Sequence, residues 1–176
     1  MKFSVKKLAL MGILTALSLI IFIVEAQFPP IGMGGIKLGL ANIVTLVSMT
    51  FVGRREAGGI LLARIVLASA FYGTFISFLF SLTGGIFAYA VMCFMLNKLD
   101  RKQLWAVSVF GGVSHNIGQL IVAAAVTGTS AVAALAPYLI ISGVITGAFN
   151  GVTAQKLWFS SLKKYASDFG LLKNQK

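Results

Sequence analysis

Long apolar segments separated by short polar connections run through nearly the whole chain. Six of them approach the roughly 20 residues that an α-helix needs to cross about 30 Å of hydrocarbon. They cover residues 8–24, 37–52, 57–72, 76–96, 104–127 and 135–158. The pattern predicts an all-α membrane protein, in which six transmembrane helices form a single domain over residues 1–176. The second and third segments are short, so we expect those helices to be tilted or partly shielded from lipid.

The positive charges predict the orientation of this bundle. If the N-terminus lies inside, the cytoplasmic connections and a basic tail of about residues 160–176 carry nearly all Lys and Arg, whereas the outer connections hold only Lys37. Cytoplasmic loops of membrane proteins show this excess, and an odd number of helices would destroy it. We therefore expect a multi-pass protein of a bacterial-type cell membrane with both termini in the cytoplasm.

Composition excludes several other classes of protein. The chain is 58% hydrophobic and 11% charged, whereas about a quarter of the residues of a typical soluble domain are charged. Its net charge of +11 is distributed between apolar segments, so it predicts no nucleic-acid partner, which would require a basic face on a soluble domain. The single cysteine, Cys93, allows no intramolecular disulfide and no CxxC metal motif.

Two ionisable side chains lie at lipid depth. Arg64 is midway along the segment 57–72, and His115 is in the middle of the segment 104–127. A guanidinium at that depth is costly, so it must face protein, water or a ligand. A lone histidine here would more often be a buried residue bonded to a neighbouring helix. Because Arg64 lies at a similar depth, we favour a shared binding site instead.

The other polar residues of these segments extend the candidate site. The predicted substrate-binding residues are Lys37, Asn42, Arg64, His115, Asn116 and Gln119. Their cationic character favours an anionic or strongly hydrogen-bond-accepting ligand that enters from the outer side. The competing interpretation is an internal ion pair between Arg64 and Glu25, which would make both residues structural.

Small residues recur at helical spacing in two segments. Gly143, Gly147 and Gly151 fall every four residues, which predicts close helix packing, while for Asn150 packing and ligand contact are equally favoured. Gly12 and Ala16 form a second patch of this kind. Such a patch seats another helix, either within the bundle or from a partner membrane subunit.

The sequence contains none of the catalytic motifs expected of an enzyme of this size. A Walker motif, HExxH, GxSxG and a dinucleotide fingerprint are all missing from it. Its four acidic residues are scattered, so they cannot hold magnesium as a prenyl diphosphate enzyme requires. We expect no catalysis, no bound metal and no required cofactor.

Several segments together resemble one family. They are KLGLANIVTL at 37–46, RREA at 54–57, Arg64, FSLTGG at 80–85 and SHNIGQ at 114–119. In this order they resemble the Gx transporter family, also labelled heptaprenyl diphosphate synthase component I. The resemblance implies a six-helix protein similar to the substrate-binding S components of energy-coupling factor vitamin transporters. The synthase label conflicts with the missing aspartate-rich motif.

The resemblance also implies partners. In S components the first outer loop gates the site, which corresponds here to residues 27–36, and small residues on the first helix meet a transmembrane coupling subunit, which corresponds to Gly12 and Ala16. The leading hypothesis is a subunit that captures a small anionic or vitamin-like molecule and delivers it through a coupling subunit driven by ATPases. The alternative is a membrane component of a flavin- or quinone-linked electron-transfer assembly, which would bind the flavin or quinone and transport nothing.

Overall fold

The computed structural model describes residues 5–27, 39–72 and 74–160. Within these ranges the chain is helical and has no strand. Its α-helices are α1 (Val5–Glu25), α2 (Asn42–Phe51), α3 (Arg54–Tyr72), α4 (Phe75–Met95), α5 (Leu104–Thr127) and α6 (Ala136–Phe159), with short 3₁₀ helices at Arg101–Gln103 and Ser130–Leu135. Each predicted segment contains a helix, and five of the six agree with the prediction to within about three residues.

Local signals in the sequence explain where these helices begin and end. The Thr74 hydroxyl accepts a hydrogen bond from the Ser77 amide and caps α4. Asp100 and Gln103 form a reciprocal capping box just before α5. Gly128, with φ of +66°, ends α5 in the left-handed conformation that glycine adopts without strain.

The second predicted span, 37–52, differs from the structure. Helix α2 begins only at Asn42 and has 10 residues, which at 1.5 Å per residue is about 15 Å, half the thickness of the hydrocarbon core. Gly39 precedes it with φ of +80°, a conformation that is incompatible with a continuous helix. Lys37 lies outside the described residues.

In the part of the chain that the structure describes, four helical segments are long and apolar enough to cross a membrane: Val5–Glu25, Phe75–Met95, Arg101–Thr127 and Ser130–Phe159. Helix α3 has 19 residues and would reach about 28 Å, but Arg54, Arg55, Glu56 and Arg64 make it more polar than these four. The arrangement supports a membrane location, while six complete crossings and the orientation of the termini stay predictions.

Helix α5 packs between α4 and α6 through glycines. A Cβ built on Gly112 would lie 2.5 Å from the carbonyl oxygen of Gly143, and one built on Gly118 would lie 3.0 Å from that of Thr83. Gly147 and Gly151 also meet the backbone of α5, near Val109 and Trp105. The glycine repeat of the last segment is therefore a packing surface, as its spacing predicts.

The surface and the interior have the polarity expected of a protein surrounded by lipid. Large apolar side chains such as Ile13, Phe110 and Ile145 point outward, with about half or more of their surface exposed. Of the residues that the structure describes, thirteen polar or charged ones are buried, among them Glu25 and Arg64. A soluble protein would bury the first kind and expose the second.

Candidate functional site

Arg64 faces the interior of the bundle. Only 3% of its surface is exposed, and its guanidinium carbon lies 5.7 Å from the centre of the Phe22 ring of α1, a cation–π distance. Its Nε and Nη2 atoms are buried and have no hydrogen-bond partner in the described part of the chain. An arginine at lipid depth is thus turned away from lipid, as the cost of exposing it there requires.

Glu25, the last residue of α1, binds the backbone that leads into α2. Its carboxylate accepts hydrogen bonds from the amides of Gly39, at 2.5 Å, and Leu40, at 2.9 Å. These amides lie at the positive end of a helix and would otherwise have no acceptor, which is the usual place for a carboxylate cap.

Glu25 and Arg64 line the same cavity, but they do not pair directly. Among residues 5–27, 39–72 and 74–160, no hydrogen bond or ion pair within 4.0 Å joins the two side chains. The carboxylate therefore acts as a counter-charge at a distance. The competing interpretation of the sequence, a structural ion pair between Arg64 and Glu25, is therefore not what the structure shows.

Gly39 is enclosed by side chains from four helices, α1, α2, α5 and α6. Its amide is bound by Glu25, and its carbonyl oxygen accepts a hydrogen bond from Nδ2 of Asn150 in α6, at 3.2 Å. A Cβ at this position would lie 3.0 Å from Nδ2 of Asn42 and 3.1 Å from Cδ2 of His115. Only glycine combines the required positive φ with this lack of space.

His115 and Gln119 form a polar pair one turn apart on α5. Their Nε2 atoms are 2.6 Å apart, so one donates to the other, with the roles set by the histidine tautomer and the amide orientation. Gly84 of α4 permits this placement, because a Cβ there would lie 2.8 Å from Cε1 of His115. Both polar side chains are almost fully buried.

These groups surround one small cavity. Its lining residues come from α1, α3, α4, α5 and the start of α2, and they are Phe22, Glu25, Gly39, Ala41, Asn42, Arg64, Ser81, His115 and Gln119. Its volume is about 10 Å³, roughly the space of a single water molecule. Small-molecule sites are usually about 300–1,000 Å³, so the cavity as described is too small to hold such a ligand.

The structure brings together four of the six predicted substrate-binding residues, Asn42, Arg64, His115 and Gln119, around this cavity. Asn116 points elsewhere: its Nδ2 atom donates to the carbonyl oxygen of Leu139, at 2.6 Å, and lies 3.5 Å from Oγ of Ser142. It joins α5 to α6. The remaining predicted residue, Lys37, lies outside the described residues.

Sequence reasoning missed four contributors to the cavity wall, Phe22, Gly39, Ala41 and Ser81. Gly39 and Ser81 fall within the segments KLGLANIVTL and FSLTGG, but nothing in their spacing indicates that they face Arg64. Phe22 is one of many aromatic residues on an apolar helix and has no signal of its own.

The small-residue patch of α1 lies on the outside of the bundle. Gly12 and Ala16 are both exposed, and nothing lies within 4 Å of a Cβ built on Gly12. The alternative that this patch packs within the bundle is therefore not what the structure shows.

The fold and the cavity together define a class: an all-helical protein of membrane type with an apolar exterior and a closed polar cavity in its interior. The sequence profile of one family, described as heptaprenyl diphosphate synthase component I, matches residues 14–157. The chain belongs to this family, which is also the Gx transporter family. No curated protein and no solved structure matches the chain.

Proposed function

We propose that this protein is the substrate-binding, S-component-like subunit of a small-molecule uptake transporter, and that the cavity around Arg64 is its ligand site. The observation that carries the proposal is a buried guanidinium with two unpartnered donors beside a buried histidine. Buried donors without partners are costly, so a structural arginine would be expected to use them. A ligand that accepts hydrogen bonds accounts for their retention.

The position of the cavity supports capture from the outer side. It lies at the C-terminal end of α1, beside Phe22 and Glu25, and a cytoplasmic N-terminus makes this end the outer one. Arg64 is 10 residues beyond the start of α3, so it lies about 15 Å along the helix from its cytoplasmic end. A ligand would then bind between the outer face and the middle of the membrane.

Opening is a necessary part of this proposal. A cavity of about 10 Å³ does not admit a vitamin-sized molecule, so binding requires its walls to separate. The predicted gate, residues 27–36, contains Pro29-Pro30 and three glycines, a composition suited to a hinged connection. All but Gln27 of this range lies outside the described residues.

Delivery of the ligand would use the exposed face of α1. Small residues let the backbone of a partner helix approach closely, and Gly12 and Ala16 offer such a face, since no helix in the described ranges covers Gly12. We propose that a transmembrane coupling subunit docks here and that its ATPases supply the energy. Under this proposal the chain binds the ligand and catalyses no reaction.

The proposal is tested by the small molecules that the purified protein retains. Wild type, Arg64→Met and Arg55→Met are purified in parallel in lipid nanodiscs and their bound molecules are identified by mass spectrometry. Arg55 is an exposed residue of the same helix, so its variant controls for the loss of one arginine. Because Arg64→Met leaves Glu25 buried without its counter-charge, which is destabilising, the folding of each variant is checked by its helical circular dichroism.

We expect wild type and Arg55→Met to retain the same molecule and Arg64→Met to lose it while keeping its helical circular dichroism. Equal retention by folded Arg64→Met would refute the ligand role of this site. A retained flavin or quinone would instead favour the electron-transfer alternative.

A further inference from the structure

The two unpartnered donors of Arg64 lie on one edge of its guanidinium. Nε and Nη2 are the side-on pair, whose N–H bonds point in parallel in the plane of the group, and both are buried without a partner in the described residues. This edge matches the two oxygens of a carboxylate or a phosphate, to which arginine binds bidentately. One unpartnered donor is explained by imperfect packing, whereas two parallel unpartnered donors match the two oxygens of a ligand group.

The carboxylate of Glu25 already accepts hydrogen bonds from the backbone. Glu25 shares the cavity with Arg64, yet both of its oxygens accept backbone hydrogen bonds, one from Gly39 and the other from Leu40. A carboxylate oxygen can accept more than one hydrogen bond, yet no hydrogen bond or ion pair among the described residues joins Glu25 to Arg64. Within the described ranges, Glu25 thus lines the same cavity as Arg64 and leaves the bidentate edge without a partner.

The Phe22 ring and the surrounding burial restrict the motion of the guanidinium that carries this edge. It lies 5.7 Å from the guanidinium carbon, and the side chain of Arg64 is 3% exposed, so the group has little freedom to rotate. Orienting the fork in advance lowers the entropy lost when a ligand binds to it.

We infer that the ligand carries a carboxylate and that this carboxylate binds in plane to Nε and Nη2 of Arg64. The inference rests on the proposed function and names the chemical class of its ligand. Charge favours a carboxylate over a phosphate, because the two residues of opposite charge among the described lining residues, Arg64 and Glu25, together are neutral. A carboxylate adds one negative charge to this buried site, whereas a phosphate adds up to two, and uncompensated buried charge is costly.

The test uses pairs of probes that differ only in the group offered to Arg64. Thermal unfolding of the full chain in detergent is followed at constant ionic strength with benzoate against benzamide, nicotinate against nicotinamide, and inorganic phosphate. A molecule that binds the folded state raises the midpoint of unfolding. The proteins are wild type, Arg64→Lys, Arg64→Met and, as a control on an exposed site of α3, Arg55→Lys.

We expect the carboxylates to raise the midpoint of wild type and Arg55→Lys and the amides to leave it unchanged. Arg64→Lys keeps the charge but loses the planar fork, so its apparent affinity for the carboxylates should fall about tenfold or more. Arg64→Met should not respond to any probe.

Four results would overturn the inference: an Arg64→Lys variant that binds the carboxylates as wild type does, amides that stabilise as strongly, phosphate that stabilises more strongly, or a wild type that no carboxylate stabilises. In each case the proposed function still stands if Arg64→Met loses the retained molecule. The proposed function fails separately if that variant retains the molecule.

Discussion

The carboxylate cap between α1 and α2 gives the sharpest prediction about how the cavity is held closed. Glu25→Gln keeps the size of the side chain but replaces one acceptor oxygen with an amide nitrogen, which cannot accept from a backbone N–H. One of the two bonds to Gly39 and Leu40 must therefore be lost. A hydrogen bond to a charged group contributes about 1.5–3 kcal/mol, so opening at these two amides should become easier by that amount.

Hydrogen–deuterium exchange measures this opening directly. Since about 1.4 kcal/mol corresponds to tenfold, amide exchange at residues 39 and 40 should be about ten- to a hundredfold faster in Glu25→Gln than in wild type. Glu56→Gln is the matched control, because Glu56 pairs with Lys7 at the other end of α1, and its loss should leave these amides unaffected. Unchanged protection in Glu25→Gln would show that the carboxylate does not hold the start of α2.

Two further substitutions test how the site is packed. Gly84→Ala places a Cβ 2.8 Å from Cε1 of His115 and 3.0 Å from its backbone oxygen, so it should lower the unfolding midpoint and abolish ligand retention. The control, Gly12→Ala, places a Cβ with nothing within 4 Å and should change neither property. Equal behaviour of the two variants would contradict the packing described. Asn150→Ala removes the side-chain donor to the carbonyl oxygen of Gly39, which still accepts from the Asn42 amide. The variant should destabilise the fold by about 0.5–1.5 kcal/mol, as measured by chemical denaturation, and an unchanged stability would count against this contact.

Hydrophobic periodicity was sufficient to predict the helices but not the short second one. Residues 37–52 read as a continuous apolar segment with one lysine. The interruption at Gly39 depends on Glu25, 14 residues earlier in the chain, whose carboxylate binds the Gly39 amide. A contact between distant residues leaves no trace in a local pattern, so the start of α2 is visible only in three dimensions.

The sequence predicted the site residues whose position follows from their depth in the membrane, but not those whose contacts depend on how the helices pack. Arg64 and His115 share a cavity, as their positions at the middle of two segments suggested. Asn116 is adjacent to His115 in sequence, yet it binds the carbonyl oxygen of Leu139 because glycines bring α6 close on that side. The closed state of the cavity also depends on packing and has no sequence signature. The role of these residues in ligand binding stays a prediction.

Cysteine accessibility tests most directly whether Arg64 faces an interior site that opens to the outside. In a Cys93→Ala background, Arg64→Cys and Val66→Cys are treated in sealed, right-side-out vesicles with a membrane-impermeant thiosulfonate. The two positions are two residues apart on α3, but Arg64 is 3% exposed, whereas Val66 is 57% exposed on the apolar exterior of the bundle, where lipid would surround it. Reaction at position 64 with none at 66 is the predicted result, and reaction at 66 with none at 64 would contradict it.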